Sequence, residues 1–335
     1  MRSLRIATFN LENFDETDPE ERPSLAERIA LMRPQIDRLR ADIVCFQEIN
    51  GQERDGEPRD LHALEALLVG TNLEGAELVS TRTQADEVFD QRNLVVASNL
   101  PVVSSAQIRN DLVAAPEYRR LTALPADTEA RVIGVERPIQ HVVIDVGEDG
   151  MQTDLLHVIN IHLKSKRPTN IPGQKVDNFT WRTASGWAEG FFLSSLKRMS
   201  QALEVRWLVD QILDDDPDAS IIVAGDFNAE PDEVPVLAIR GDVEQTGNGD
   251  LATRVLVPVE HTIPESTRFT LLFQGQGEMI DHMLVTRNLL GSYRNSEIHN
   301  ELLHDESLAF AIDRKFPESD HAPFVAEFVA EFVSD

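Results

Sequence analysis

Short apolar runs that end in a carboxylate, an amide or an imidazole recur six times along this chain. No other feature limits its fold as tightly. The polar ends are Thr8-Phe9-Asn10, Gln47-Glu48, Asn160-Ile161-His162, Asp226-Phe227-Asn228, Asp281-His282 and Ser319-Asp320-His321. The apolar runs are short and β-branched, at residues 4–9, 42–46, 94–97, 157–162, 220–224, 279–285 and 322–333. Such runs predict buried or half-buried strands. A strand core is costly for a carboxylate, but a strand end presents one rigidly to a cleft.

Helical spacing lies between the runs. Residues 24–40 repeat Leu25, Ile29, Met32, Ile36 and Leu39, and residues 62–69 and 193–213 behave likewise. Pro34 predicts a kink or break in the first of these. Strands mixed with helices along the whole chain predict an α/β class. No linker separates two halves, so one domain over residues 1–335 is expected, with a basic, aromatic insert at about 164–207. A loose repeat is visible. Residues 42–48 and 220–226 are both strands ending in a carboxylate, and residues 93–98 and 281–286 are similar second strands. This hints at two related sheets packed face to face.

Composition narrows the function. Fifty-eight acidic against 31 basic residues give a formal charge of −27, which repels nucleic acid and anionic membranes at long range. The lone Cys45 rules out an intrachain disulfide and a Cys-rich metal site. No run approaches a membrane span, and Met1 to Ile6 shows no signal-peptide pattern, so a cytoplasmic protein, or a mature form that has lost its signal, is expected, with no membrane partner and no identifiable protein partner.

Strand alternation puts Asp226 and Asn228 on one face and Asn160 and His162 on one face. His157 and His282 have the other parity and are read as structural. Carboxylates with amide oxygens and no thiols suit a hard cation, Mg²⁺ or Mn²⁺. Further Asp, Asn and His residues remain for water activation and charge stabilisation, which fits metal-assisted hydrolysis of a phosphoester. Arg92 and Asn93 stand at the mouth of a strand, where Arg92 meets a phosphate through two parallel hydrogen bonds or else pairs with Asp90.

The segments 8–13, 45–48, 160–164, 224–228, 279–284 and 319–323 together resemble the endonuclease/exonuclease/phosphatase superfamily, which includes deoxyribonuclease I, exonuclease III, sphingomyelinases and inositol-polyphosphate phosphatases. The resemblance implies a four-layer α/β sandwich, two packed mixed β-sheets flanked by helices, and a divalent-metal phosphoesterase. It implies metal ligation by Glu48 with Asn10 and Asp320. It makes Asp226 the group that orients or deprotonates the attacking water. Asn228 would hold a phosphate oxygen, and His162 the scissile phosphate or the leaving group. His321, oriented by Asp281, would form a second acid/base or phosphate-binding pair. Met279-Ile-Asp-His lacks the Pro-x-Trp-x-Asp-Arg signature of inositol-polyphosphate phosphatases and the Leu-Asp-Tyr pattern of abasic-site endonucleases.

Residues 164–206 carry eight basic against three acidic residues, and all three tryptophans lie within 164–207. Basic residues mixed with aromatics suit a phosphate-bearing substrate with stacked bases. Lys166, Arg167 and Arg182, with Asn160, are therefore candidate substrate contacts; the alternative is a helical cover whose aromatics serve the core. The leading expectation is a metal-dependent phosphodiesterase acting on nucleic acid. A small phosphorylated metabolite or lipid headgroup is the second substrate class, and a catalytically silent binding protein that keeps the fold is the third reading.

Overall fold

Alternation along the strands decides the architecture, because it gives each sheet one face for its partner sheet and one for its helices. The computed structural model describes residues 2–16, 22–147, 154–308 and 315–330. Its strands are β1 (Arg2–Phe14), β2 (Ile43–Ile49), β3 (Glu77–Ser80), β4 (Asn93–Ser98), β5 (Val102–Ile108), β6 (Glu117–Tyr118), β7 (Arg131–Val132), β8 (Ile139–Asp145), β9 (Leu155–His162), β10 (Ser220–Asp226), β11 (Val257–Pro258), β12 (Leu271–Phe273), β13 (Gln276–Glu278), β14 (Asp281–Val285), β15 (Tyr293–Ile298) and β16 (Phe324–Ala330). The main helices are α1 (Leu25–Leu39), α2 (His62–Leu68), α3 (Ala184–Asp215) and α4 (Val234–Arg240). Residues 331–333 of the last predicted run lie outside the described residues.

Two six-stranded mixed sheets form, in the orders β15-β16-β1-β2-β4-β3 and β11-β14-β10-β9-β8-β5. Each has one parallel pair at its centre, β1 with β2 and β9 with β10. Each pair is followed by an antiparallel strand, β4 beside β2 and β14 beside β10. The loose repeat in the sequence is thus a repeat of topology.

Residues of like parity from both sheets fill the layer between them, among them Ile6, Cys45, Val158, Ile222, Met283 and Phe324. The other faces carry separate cores. Phe9, Val44 and Phe46 pack with Met32, Ile36 and Leu39 of α1, and Ile159, Ile161 and Val223 pack with Val205 and Val209 of α3. Phe9, Phe46, Phe227 and Phe324 are fully buried, each removal from water contributing ~1.5–3 kcal/mol.

The α1 helix begins with a capping box in which Ser24 and Glu27 satisfy each other's backbone donors. It does not break at Pro34. Pro34 and Ala30 are exposed, so the lost backbone bond falls on the solvent side, while Met32, Ile36 and Leu39 hold the helix to the sheet. The α3 helix starts at Ala184, earlier than the apolar spacing from 193 suggests, because Thr183 caps it by accepting from Gly186 N–H.

A polar bridge crosses the apolar layer. Gln47 Nε2 donates to Asn160 Oδ1 at 2.8 Å, and Asn160 Nδ2 donates to the Phe46 carbonyl and to Gln140 Oε1 at 3.1 Å each. Both side chains have no exposed surface.

Candidate active site

The inner parity continues past the apolar layer to the sheet ends, and there the residues change from aliphatic to polar. Asn10 ends the inner row of β1, His162 that of β9 and Asp226 that of β10, while Asp281 opens β14 opposite Asp226 in register. Gly225 makes this approach possible. Its φ of +143° is closed to side chains, and a Cβ there would lie 2.0 Å from the Ile161 carbonyl oxygen.

Glu48 has the outward parity, yet it reaches the same site. Its φ is +61°, and a register shift between Phe46 and Ile49 marks a bulge there. Glu12, Asn13, Arg92 and Asn228 also take left-handed backbone, at φ +49°, +46°, +60° and +48°. Such residues are held against a local cost of ~1–3 kcal/mol each and gather at functional sites.

Asp226 is the hub. Its Oδ2 accepts from Asn10 Nδ2 at 3.0 Å and Asn228 Nδ2 at 3.0 Å, and lies 3.1 Å from His162 Nε2 and 3.8 Å from His321 Nε2. Its Oδ1 accepts the Asn228 N–H at 2.8 Å. Burial disfavours its charge, but His162 and His321 outweigh burial and hold it well below the usual carboxylate range. His321 Nδ1 lies 2.8 Å from Asp281 Oδ2. Burial opposes the imidazolium, yet Asp281, Asp226 and Asp320 raise His321 well above an ordinary histidine. His162 goes the other way: burial and then Arg137 lower it.

Glu48 Oε1 stands 3.6 Å from His162 Nε2 and 3.8 Å from an Arg137 guanidinium nitrogen. Burial opposes its charge, but His162, Arg137 and Arg92 keep it low. Burial pushes Asp320 up to about 6, and burial with the Asp320 charge pushes Glu12 up to about 8. Asp320 Oδ1, Asp281 Oδ1 and His162 Nδ1 are buried with no hydrogen-bond partner among the described residues. Crowded carboxylates with unpartnered oxygens and no sulfur ligand fit a hard divalent cation. Ligand atoms of Asp226, Asp281 and His321 also lie within 4.8 Å of one another, a second grouping able to hold an ion.

The structure therefore gathers Asn10, Glu48, His162, Asp226, Asn228, Asp281, Asp320 and His321. Asn228 is not extended beside Asp226, however; its left-handed backbone curls it back, and its amide hydrogens go to Asp226 and to the Leu163 carbonyl at 3.1 Å. In this arrangement it braces the Asp226 carboxylate. Asn93 and Asn160 are corrected as substrate contacts. Asn93 is fully buried and bonds the Ile49 and Phe89 carbonyls and the Phe89 N–H, while Asn160 is the inter-sheet bridge. Neither amide has a group left for a ligand.

Arg92 is exposed, and its Nε donates to Asn13 Oδ1 at 3.2 Å, not to Asp90. Lys166 pairs with Glu233 at 2.7 Å, Arg167 with Glu306 at 2.6 Å, and Arg182 donates to the Gly173 carbonyl. Among the described residues, none of these three bonds or pairs with Asp226 or Glu48. In the insert, Trp181 packs near Ala123, Ile171 and Leu193 under Lys175, whose Nζ lies 4.3 Å from the ring centre, whereas Trp187 and Trp207 are exposed. His157 meets His141, and His282 meets Glu260 and the Ala229 carbonyl, so both are structural as their parity implied.

Two arginines went unread in the sequence. Arg28 of α1 is buried beneath the β1 end and donates to the Leu11 carbonyl at 2.6 Å. A basic residue beside the apolar stripe of a helix was its only signal. Arg137 lies in an irregular stretch before β8 and had none.

Comparison with known proteins adds an independent line. A model of the Endonuclease/Exonuclease/phosphatase family matches residues 7–321. No curated protein matches the chain. Among solved structures, an endonuclease/exonuclease/phosphatase family protein from Bacteroides thetaiotaomicron is 15% identical, with 99% of each chain covered and a TM-score of 0.57. Truncated TDP2 from Caenorhabditis elegans is 15% identical, with 98% of each chain covered and a TM-score of 0.54. An AP endonuclease from Archaeoglobus fulgidus is 18% identical, covering 98% of this chain and 100% of its own, with a TM-score of 0.51. At these identities the likeness is one of fold.

Proposed function

The chain belongs to the endonuclease/exonuclease/phosphatase family, and from that premise we propose that it is a divalent-metal-dependent phosphodiesterase whose leading substrate is nucleic acid. The observation that carries the reading is the ring of groups around Asp226. One carboxylate oxygen faces an amide, two imidazoles and a second amide within 3.8 Å.

Glu48 and Asp320, with Asn10, would hold Mg²⁺ or Mn²⁺, which supplies Lewis-acid stabilisation of charge on the phosphoryl oxygens. The chain's own groups do the rest. A carboxylate held far below neutrality is a weak base, so Asp226 accepts a hydrogen bond from the attacking water and orients it. Asn10 and Asn228 fix that carboxylate. His321, kept protonated by Asp281, donates to a phosphate oxygen. His162 donates from Nε2 to a phosphate or leaving-group oxygen. Lys166, Arg167 and Arg182 are rim cations that reach a polyanion once their protein partners let go.

The net charge of −27 favours the second reading, a small phosphorylated metabolite or lipid headgroup. One assay separates the two. Bis-p-nitrophenyl phosphate, p-nitrophenyl phosphate, and single- and double-stranded DNA and RNA are each incubated with Mg²⁺ or Mn²⁺, using wild type and Asp226→Asn. Turnover of the diester and of a nucleic acid, lost in Asp226→Asn, is expected. Diester turnover without any nucleic-acid turnover selects the small substrate, and no turnover of any ester selects a silent binding protein.

A further inference from the structure

We infer that the overhanging first half of α3 carries a stacking platform, Trp187 with Phe191, for an unpaired base several nucleotides from the cleaved phosphate. The inference rests on the nucleic-acid reading and narrows the substrate to a single strand or a single-stranded end.

The crossover between β9 and β10 sets the platform's place. The two strands run parallel, so α3 between them runs back along the sheet. Its second half covers that sheet through Val205 and Val209. Gln201 accepts the Lys164 N–H at 2.9 Å, and Arg198 donates to the Lys164 carbonyl at 2.9 Å. Lys164 follows closely on His162, so the α3 residues before Arg198 project beyond the catalytic end of β9.

Residues 187, 191, 194, 198 and 201 share one stripe of the helix. Its inner members follow the segment that leaves His162. Gln201 and Arg198 hold Lys164, and the Ser194 hydroxyl donates to the Arg167 carbonyl at 2.7 Å. Phe191 and Trp187 continue the stripe outward, ~15 Å and ~21 Å along the axis from Gln201 at about 1.5 Å per residue. At about 3.4 Å per stacked nucleotide, that reach is on the order of four to six nucleotides.

Neither ring serves a core. The small core under the insert is Ala123, Ile171 and Leu193 with Trp181 against it, and Trp187 and Phe191 belong to no buried cluster among the described residues. Trp187 is 47% exposed. The two rings meet edge to face with 4.6 Å between centres, a contact that covers at most one face of one ring.

The charge nearby selects the occupant. Lys175, Arg182 and Arg198 donate to the Asn178, Gly173 and Lys164 carbonyls, and among the described residues none of the three has a carboxylate within ion-pair distance. The acidic residues of the stretch are committed to backbone. Glu189 accepts the Thr122 N–H, Glu204 those of Asn110 and Leu112, and Asp177 those of Phe179 and Thr180. In a chain of −27 this is a local cationic surface around aromatic rings. Single strands suit it, because every base has a π-face and every linkage a phosphate. A duplex keeps its base faces inside the stack, so only an unpaired base reaches the rings.

Fluorescence anisotropy on the full chain carrying Asp226→Asn, which suppresses turnover, tests this with Mg²⁺ present. The labelled probes are oligothymidylates of about three and about ten nucleotides, an abasic strand of the longer length, and the longer strand paired with its complement, lengths that fall short of and span the expected reach. The longer oligothymidylate should bind about tenfold tighter than the abasic strand, within the range for one stacked base. Trp187→Ala should erase that gain and Trp187→Phe should keep most of it, while the short strand and the duplex bind alike in all three. Trp187→Leu keeps an apolar side chain; it should match the parent chain in thermal midpoint and still lose the gain. A gain that survives Trp187→Ala, or no gain of the longer strand over the abasic one, overturns the platform. So does release from vesicles of phosphatidylcholine and phosphatidylglycerol in Trp187→Ala with the oligothymidylate gain intact, since the rings would then face lipid. Hydrolysis of bis-p-nitrophenyl phosphate by the unsubstituted chain is measured separately, so failure of the phosphodiesterase reading is seen independently.

Discussion

His321 Nδ1 lies 2.8 Å from Asp281 Oδ2, and the Asp281 N–H is itself held by Thr270 Oγ1 at 3.1 Å. The imidazole is oriented by a carboxylate whose own backbone is pinned in turn. Removing His321 should cost on the order of 10²–10⁴ in turnover, the usual range for acid–base groups. Asp281→Ala should act through His321, so the double variant should be little slower than His321→Ala. Additive losses in kcat across that cycle would refute the pairing.

Metal removal is the second case. EDTA should abolish activity, and Mg²⁺ or Mn²⁺ should restore it. Saturating metal should also raise the thermal midpoint, since a ligand that binds only the folded chain stabilises it. Glu48→Gln should weaken both responses without unfolding the protein. Full turnover in metal-free protein would end the reading.

Gly225→Ala should be destabilising by on the order of 3 kcal/mol or more, because the new Cβ meets the Ile161 backbone and cannot relax along a side chain. Urea unfolding reports the loss. A variant as stable as wild type would mean that the strand end moves freely, and Asp226 with it.

The fourth expectation concerns acid. His141 of β8 and His157 of β9 face each other at 3.0 Å with stacked rings. Burial, with His157 beside it, pulls His141 down to about 4; burial also lowers His157, against Asp216. Unfolded histidines take their proton near about 6.5. Between those values the unfolded chain binds more protons, so stability is present above pH ~6.5 and is lost as the pH falls toward 4. The loss should reach on the order of 2 kcal/mol. His141→Gln should flatten it in urea unfolding measured at pH 4.5 and 7; an unchanged pH slope would count against the pair.

Much of this was legible because chemistry forces polar residues onto strand ends. Asn10, Glu48, His162, Asp226, Asp281 and His321 each broke an apolar run, and the break was the signal. The same signal misled at Asn93 and Asn160, where the polar group serves the interior: a buried amide with every bond satisfied looks, in sequence, like one awaiting a ligand. Strand β5 was missed because its middle residues, Val103 to Gln107, are exposed, so no apolar run announces it. Arg137 was missed because nothing local distinguishes it; only the fold brings it beside Glu48. Lys166 and Arg167 stood out by charge, but their partners Glu233 and Glu306 come from distant sequence.

The bridge from Gln47 to Asn160 has a consequence for alignment. Two aliphatic faces pack nearly as well at several offsets, since apolar attraction has no direction. A hydrogen bond across them has one offset only. It sits one residue before Glu48 and two before His162, so it keys the two sheets together directly beneath the reacting groups. Replacing both amides by leucine should leave the melting point equal or higher, because well-packed apolar pairs often match buried polar ones. Turnover should fall about tenfold or more as the halves slip out of step; an unchanged kcat would show that the apolar layer alone sets the offset. The chain gives up a little cohesion in its middle so that side chains from opposite halves arrive at one phosphate in phase.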